Sequence, residues 1–178
     1  MANYTDKKGV NNNWIGTNRA DDMRGGAGND RIDGGAGNDY ILGGTGDDIL
    51  LGGAGDDRIW AQKGTDTITG GTGADYFIFN DAYDSRAGDG IDTILDFKPT
   101  EGDQIDLRGL GTKDANQTVL PIAFVAAPTG TANEFTLTFD ANLNRTALEF
   151  YRLDGDMLVD NTIYLSGHIT GADGILLV

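Results

Sequence analysis

The chain has no cysteine, which excludes disulfide bonds and thiolate metal sites. Its single histidine, His168, is interpreted as a surface or turn residue, and neither the zinc-protease pattern H-E-x-x-H nor the lipase pattern G-x-S-x-G occurs. No apolar run approaches the roughly 18 residues of a membrane-spanning helix, and the first eight residues lack the apolar core of a secretory signal. These absences predict a non-enzymatic chain without a membrane span, and any export address is expected elsewhere than at residues 1–8.

Basic residues are also scarce. The sequence holds 13 Lys and Arg against 28 Asp and Glu, so its formal net charge is −15. Such an excess of negative charge disfavours a nucleic-acid phosphate backbone as a partner. Many of the acidic residues fall inside a repeated pattern. This indicates that the negative charge is concentrated there and serves to bind a metal ion.

That pattern is a nine-residue repeat, G-G-x-G-x-D-x-U, in which U is a large apolar residue. Copies open at Gly25, Gly34, Gly43, Gly52 and Gly70, and a copy without the first two glycines opens at Ala61. The aspartates at position 6 are Asp30, Asp39, Asp48, Asp57, Asp66 and Asp75. Upstream, a degenerate copy places Asp21 and Met23 at positions 6 and 8. One copy earlier, Asn12 and Trp14 fall at the same positions.

The repeat predicts an all-β fold, a parallel β-roll. Because side chains alternate along a strand, position 8 faces inward while positions 7 and 9 face outward. The glycine stretch is expected to turn the chain, two repeats complete one coil, and repeat n stacks on repeat n+2. The predicted aspartate pairs are Asp30 with Asp48, Asp39 with Asp57, Asp48 with Asp66, Asp57 with Asp75 and, at the degenerate end, Asp21 with Asp39.

Carboxylates spaced regularly beside glycine backbone present oxygen ligands to a hard cation, and about 4–6 ions are expected. Each repeat buries only one core side chain against the entropy of ordering nine residues, so the array should fold on binding metal. A metal-free glycine-rich linker would not hold aspartate and isoleucine in register. The predicted metal-binding positions are Asp21, Gly25, Gly26, Ala27, Gly28, Asp30, Gly34, Gly35, Ala36, Gly37, Asp39, Gly43, Gly44, Thr45, Gly46, Asp48, Gly52, Gly53, Ala54, Gly55, Asp57, Gly64, Asp66, Gly70, Gly71, Gly73 and Asp75.

The second half of the chain alternates apolar and polar residues, as strands do. Strands are predicted at 76–79, 91–97, 104–107, 134–139, 146–151 and 158–165, with a hairpin loop at 140–144. The predicted organisation is an amino-terminal cap or degenerate repeat at 1–15, the roll at 16–79, and a β-rich cap at 80–178 that closes the roll.

The nonapeptide resembles the calcium-binding repeat of RTX (repeats-in-toxin) proteins, an assignment already known for this pattern. Asp84-Ser85 through Asp92-Thr93-Ile94-Leu95-Asp96-Phe97, then Gly102–Leu107, resembles the region after the repeats in serralysin-type metalloproteases. Similar segments occur in secreted lipases and in the R-modules of mannuronan C5-epimerases. The resemblance implies calcium as the metal and a last calcium site formed by Asp84 and Asp92. In the nonapeptide register, Asp84 alternatively pairs with Asp66.

Two further segments extend the resemblance to nearly the whole chain. Leu153-Asp154-Gly155-Asp156 is interpreted as a turn rather than an EF-hand-like loop, because Met157 replaces a polar ligand and no glutamate stands at loop position 12. The closing Asp173–Val178, an acidic residue followed by apolar ones, is similar to type I secretion signals of this family. It also suits a last core strand, and both interpretations can hold together.

The resemblance implies a secreted, extracellular calcium-binding domain that partners the type I secretion machinery and forms the tail of a larger protein. The alternative is a carbohydrate-binding R-module. One predicted outer face carries Tyr40, Leu42, Arg58, Trp60, Tyr76 and Ile78, and the other carries Arg31, Asp33, Ile49, Leu51, Thr67 and Thr69. The aromatic face either packs against other parts of the chain or binds an acidic polysaccharide such as alginate through Tyr40, Arg58, Trp60 and Tyr76.

Overall fold

The computed structural model describes residues 1–6, 9–79, 90–107, 122–124, 133–151, 161–167, 169 and 174–176. These residues form strands and one short 3-10 helix, Pro99–Glu101. The strands are β1 Asn3–Thr5, β2 Asn13–Ile15, β3 Asp22–Ala27, β4 Arg31–Ala36, β5 Tyr40–Thr45, β6 Ile49–Ala54, β7 Arg58–Lys63, β8 Thr67–Thr72, β9 Tyr76–Ile78, β10 Asp92–Ile94, β11 Gln104–Asp106, β12 Ile122–Phe124, β13 Asn133–Asp140, β14 Arg145–Tyr151, β15 Asn161–Ser166 and β16 Ile175–Leu176. Over these ranges, no helix is long and apolar enough to cross a membrane.

The strands lie in two sheets with one core between them. One sheet has the order β1-β3-β5-β7-β9-β11-β16, and the other has the order β12-β13-β14-β15-β10-β8-β6-β4-β2. Within the repeats every pairing is parallel and joins residues 18 apart, so Ile32 lies opposite Leu50 and Leu50 lies opposite Ile68. Consecutive strands therefore alternate between the sheets, and the predicted parallel β-roll is confirmed.

The core of the roll consists of the position-8 side chains. Each is at most 1% exposed: Met23, Ile32, Ile41, Leu50, Ile59, Ile68 and Phe77. Burying such a side chain contributes roughly 1.5–3 kcal/mol. Each of these repeats therefore contributes one large apolar side chain to the core between the sheets.

The strands are longer than the sequence predicts, because they continue through the glycines that open the next repeat. Gly35 of β4 pairs with Gly53 of β6. The bend falls instead at positions 4 and 5, for example at Gly37, where φ is 116°. A side chain would be strained in that left-handed region, which accounts for the third glycine of the repeat.

Two short strands continue the roll after the repeats end. β10 lies on β8, with Ile94 opposite Ile68, and β11 lies on β9, with Ile105 opposite Phe77. β16 then adds to β11, with Ile175 opposite Ile105. The roll therefore keeps its two stacks after its nine-residue period has been lost.

The antiparallel cap is also confirmed, with its hairpin turn at 141–144. β13 and β14 pair with Leu137 opposite Leu148, and β15 pairs antiparallel with β14. β15 also pairs in parallel with β10. The described cap strands therefore extend one sheet of the roll along its axis, and Phe135, Leu148 and Leu165 prolong its core.

Candidate metal centre

A buried ladder of aspartates runs along the roll. The backbone N–H of each position-6 residue donates a hydrogen bond to Oδ1 of the position-6 aspartate one turn further on. These bonds run from Asp21 to Asp39 (2.7 Å), Asp30 to Asp48 (2.8 Å), Asp39 to Asp57 (2.7 Å), Asp48 to Asp66 (2.7 Å) and Asp57 to Asp75 (3.0 Å). The structure therefore brings together all five aspartate pairs expected from the repeat register, and each of these side chains is at most 2% exposed.

The second carboxylate oxygen of the repeat aspartates has no protein partner. Oδ2 is buried without a hydrogen bond in Asp30, Asp39, Asp48, Asp57, Asp66 and Asp75. A buried carboxylate oxygen without a donor is costly, because its lost hydration is not replaced. Six such oxygens at the same position of successive repeats call for a positively charged partner.

The first glycine of each repeat borders the space beside this oxygen. A Cβ built on Gly34 would lie 2.5 Å from both Asp39 Oδ2 and the carbonyl oxygen of Gly52. The same pair of oxygens, one carboxylate and one carbonyl, surrounds Gly25, Gly43 and Gly52. Glycine at position 1 therefore leaves a small space open beside these two oxygens, which a Cβ would fill. We call this space the cradle. Ala61 is the exception, because the degenerate copy carries a Cβ there.

These oxygens fit calcium. Ca²⁺ takes six to eight oxygen ligands from carboxylates and backbone carbonyls, and the ladder presents both kinds. In the part of the chain that the structure describes, no three His, Cys, Asp or Glu side chains come together as a metal site. A cation in the ladder would therefore need backbone carbonyls beside the two aspartates, which suits a hard ion and disfavours one that prefers nitrogen or sulfur.

Burial raises the pKa of five of the repeat aspartates. The pKa is raised to about 6 for Asp39 and Asp75, to about 7 for Asp48 and Asp57, and to about 8 for Asp66. Desolvation is the main cause, and repulsion from the next aspartates adds to it; for Asp66 the added charge is that of Asp92. Without a cation, the middle of the ladder therefore tends to hold protons near neutral pH.

The amino-terminal end of the ladder differs, because protein donors satisfy Asp21. Its Oδ1 accepts from the backbone N–H of Ala2 at 2.5 Å. Its Oδ2 accepts from the backbone N–H of Thr17 at 2.7 Å and from the Thr17 hydroxyl at 2.8 Å. The Ala2 hydrogen bond is the largest cause of a lowered pKa for Asp21.

At the carboxy-terminal end the ladder continues beyond the repeats. Asp66 N–H donates to Asp92 Oδ1 at 2.9 Å, and Asp75 N–H donates to Asp103 Oδ1 at 3.0 Å. Asp103 also accepts a hydrogen bond at Oδ2 from the backbone N–H of Lys98, at 2.8 Å. The sequence analysis did not identify Asp103 as a site residue. The available signal was the D-x-U spacing of Asp92-Thr93-Ile94 and Asp103-Gln104-Ile105, which keeps positions 6 to 8 of the repeat without its glycines.

The segment Asp92–Phe97 also supplies a terminator for the roll. Asp96, another residue missed as functional, accepts from Gly70 N–H at Oδ1 and from Gly71 N–H at Oδ2, both at 2.8 Å. Phe97 is buried edge-on to Phe77, with ring centroids 6.2 Å apart. Asp96 thus terminates the hydrogen bonding of the glycine half of β8, which β10 does not reach, and Phe97 packs beside it on Phe77.

A second ladder lies at position 5 and was not anticipated. Here the backbone N–H donates back to Oδ1 one turn earlier: Asp47 to Asn29 (3.1 Å), Thr65 to Asp47 (2.9 Å), Asp56 to Asn38 (3.2 Å) and Ala74 to Asp56 (3.0 Å). The sequence did contain a signal for this ladder: in four of the copies, the residue before the repeat aspartate is Asn or Asp. This exposed ladder runs opposite to the buried one, so the turns are tied in both directions.

Three predicted features lie outside the described residues. They are Asp84, His168 and the turn at Asp154-Gly155-Asp156. The metal-binding roles of the repeat positions and of Asp92 stay predictions. In the structure, the ladder partner of Asp66 is Asp92, which accepts a hydrogen bond from the Asp66 backbone N–H.

The outer faces of the sheets follow the predicted register. Tyr40, Arg58 and Tyr76 lie opposite one another on β5, β7 and β9, and Trp60 lies opposite Leu42. The Arg58 guanidinium stands 5.8 Å from the Tyr76 ring centroid. A small pocket beside these residues is lined by Asp56, Asp57, Arg58, Ala74, Asp75, Tyr76, Gly102 and Gln104.

Comparisons with known proteins agree with this architecture. The family model described as peptidase M10 serralysin C terminal matches residues 2–177. The solution structure of the AlgE6R3 subunit of the Azotobacter vinelandii mannuronan C5-epimerase is similar over 94% of this chain and 78% of its own, with 27% identity and a TM-score of 0.58. The AlgE6R2 subunit of the same epimerase matches over 91% and 90%, with 26% identity and a TM-score of 0.51. No curated protein sequence matches the chain.

Proposed function

Because the chain belongs to the peptidase M10 serralysin C-terminal family, a non-catalytic type of domain, we propose that it is an RTX roll that folds on calcium outside the cell. The resemblance identified from the nonapeptides and the T-I-L-D-F segment is confirmed. The observation that carries the proposal is the series of six buried aspartate oxygens without a donor.

The proposed ligands are the aspartates of adjacent turns and the backbone carbonyls of the glycine-rich stretch that opens each repeat. Oδ2 of a repeat aspartate and the position-1 carbonyl oxygen of the next turn already lie on either side of one cradle. Desolvation and then repulsion between neighbouring aspartates raise the pKa of Asp48 and Asp57, and a divalent ion in the cradle would offset both. About 4–6 ions suit a ladder of this length.

Calcium dependence of folding gives the domain its proposed role in export. Cytosolic calcium is low, so the array stays unfolded and passes a type I secretion channel as an open chain. Calcium outside the cell then folds the roll and hinders its return. Asp173–Val178 are proposed to carry the secretion signal, in a larger secreted protein whose roll spans 16–79 and whose cap spans 80–178.

The test is a calcium titration of the whole chain followed by circular dichroism. In excess chelator the β signal should be largely lost, and it should return at about 10⁻⁴–10⁻³ M calcium, the range of extracellular calcium modules. Magnesium serves as the control ion, because it requires a smaller octahedral site. An identical spectrum in chelator and in calcium would overturn the proposal.

A second candidate function is binding of an acidic polysaccharide such as alginate. It is favoured by the similarity to subunits of a mannuronan C5-epimerase and by the outer face on which Tyr40, Arg58 and Tyr76 follow one another. Flat aromatic rings stack on sugars, and an arginine pairs with a uronate carboxylate. Cap strands β12 to β15 belong to the opposite sheet, and β11 and β16 continue the sheet of this face edge to edge, so none of these strands is stacked on it.

A further inference from the structure

Asn12 stands where the buried ladder would require an aspartate. The register of β2 on β4 places it opposite Asp30, and its backbone N–H donates to Asp30 Oδ1 at 2.6 Å, as the repeat aspartates do to one another. Its side chain is an amide and carries no charge. The first turn of this stack therefore has the ladder hydrogen bond without the ladder carboxylate.

The side-chain nitrogen of Asn12 is surrounded by oxygens. Nδ2 donates to Asp30 Oδ1 at 2.9 Å, to the Val10 carbonyl at 2.9 Å and to the Gly25 carbonyl at 3.3 Å. All three are acceptors, so only the nitrogen end of the amide fits among them. The amide thus meets one carboxylate oxygen and two carbonyl oxygens at a single point.

The same point one turn later has no donor. The atom of Asp30 that corresponds to Asn12 Nδ2 is Oδ2, which is buried without a partner. The carbonyl that corresponds to Gly25 is that of Gly43, and it meets the same cradle as Asp30 Oδ2. Where the first turn has an N–H donor among oxygens, the following turns have oxygens alone.

We infer that the Asn12 amide replaces a calcium-binding carboxylate and closes the first turn of this stack without metal. This inference rests on the proposed calcium binding of the roll. Asn12 is then a latent calcium site, because a carboxylate at the same position would restore the oxygen ligands found in later turns. The amide stabilises the end of the roll, where one ligand-bearing turn is missing.

The test is the number of calcium ions bound by the full chain in native mass spectrometry at saturating calcium. Asn12→Asp should bind one ion more than the wild type. Asn29→Asp is the matched control, because it adds the same charge at an exposed position where Asp47 and Asp56 occur in other copies, and its ion count should equal that of the wild type. Asn12→Ala should also keep the wild-type count and require more calcium to fold.

An unchanged ion count in Asn12→Asp would overturn the inference. Failure of Asn12→Asp to fold in saturating calcium would overturn it as well, because an ion at that place should restore the contacts of the amide. A gain in Asn29→Asp equal to that in Asn12→Asp would show a charge effect and would also contradict it. If the wild type binds no calcium, it is the proposed function that fails.

Discussion

The backbone N–H of Asp66 donates to Oδ1 of Asp92 at 2.9 Å, although 26 residues separate the two aspartates. Every earlier step between repeat aspartates spans 18 residues. The chain therefore leaves the nine-residue period after Phe79 and returns to the same ladder position at Asp92. A calcium site at this step would join a repeat aspartate to one outside the repeats.

Asp92 and Asp96 are expected to respond differently to substitution. Asp92→Ala should lower the number of bound calcium ions, because it removes a ladder carboxylate. Asp96→Ala should keep that number and reduce the stability of the calcium-loaded fold by about 1.5–3 kcal/mol or more, because both oxygens of Asp96 accept from glycine N–H groups. Native mass spectrometry and urea unfolding in saturating calcium measure the two effects. Loss of an ion in Asp96→Ala would contradict its role as a terminator.

Aspartates in the middle of the ladder should matter more than the one at its amino-terminal end. Asp48 lies between two ladder neighbours and has a buried oxygen without a donor, whereas Thr17 and Ala2 satisfy Asp21. Asp48→Ala should raise the calcium midpoint of folding on the order of tenfold or more, with lower cooperativity, and Asp21→Ala should raise it less. Asp33→Ala, on an outer face, is the control for charge. Equal midpoints for Asp48→Ala and Asp21→Ala would show that the pairing is not what binds calcium.

Without calcium, the roll should be more stable at pH about 6 than at pH about 8. The folded pKa is raised to about 7 for Asp48 and Asp57 and to about 8 for Asp66, above the ordinary value near 3.8. The metal-free roll therefore gains stability from protonation at low pH and loses it as the pH rises through these values. In excess chelator, circular dichroism should therefore show more β signal at pH about 6 than at pH about 8, because the unfolded chain has ordinary aspartate pKa values and holds few protons over this range. A β signal in chelator that is the same at both pH values would contradict the stabilisation of the metal-free roll by protonated ladder carboxyls.

The aromatic face separates the two candidate functions. Trp60→Ala combined with Tyr40→Ala should abolish binding of uronate oligomers and change the calcium midpoint little. Ile49→Ala combined with Leu51→Ala makes a comparable change on the outer face of the other sheet and should leave uronate binding intact. If the parent chain binds no uronate, or if the first pair abolishes folding, the face is a packing surface.

Deletion of Ile175–Val178 should reduce type I export far more than it reduces calcium binding by the purified chain. β16 begins at Ile175 and adds one short strand to β11 at the end of a sheet, so most of the roll does not depend on it. Ile105→Ala weakens the same strand pair and keeps the tail, which makes it the matched control. Normal secretion of the truncated chain through a matched transporter would leave these residues as a core strand only.

The sequence was sufficient for the parts of the fold that repeat. The spacing of Asp30, Asp48 and Ile32 sets the strand direction, the register and the aspartate pairs, because every turn obeys the same steric rules. Residues whose roles appear once were harder to identify. Asp96 accepts from glycines 25 and 26 residues away, and no local pattern reports that contact. The segment Asp103-Gln104-Ile105 has the D-x-U spacing of the repeat. Because it lacks the repeat's glycines, it looks like an ordinary strand in the sequence.

Calcium binding should be coupled directly to the ladder hydrogen bonds, and amide hydrogen exchange of the Asp48 and Asp57 backbone N–H groups measures this coupling at single residues. Both groups donate to the next aspartate, at 2.7 and 3.0 Å. Both amides should be strongly protected in calcium and should lose that protection in excess chelator, and magnesium should fail to restore it. Equal protection with and without calcium would show that the roll forms without the ion and would contradict the account.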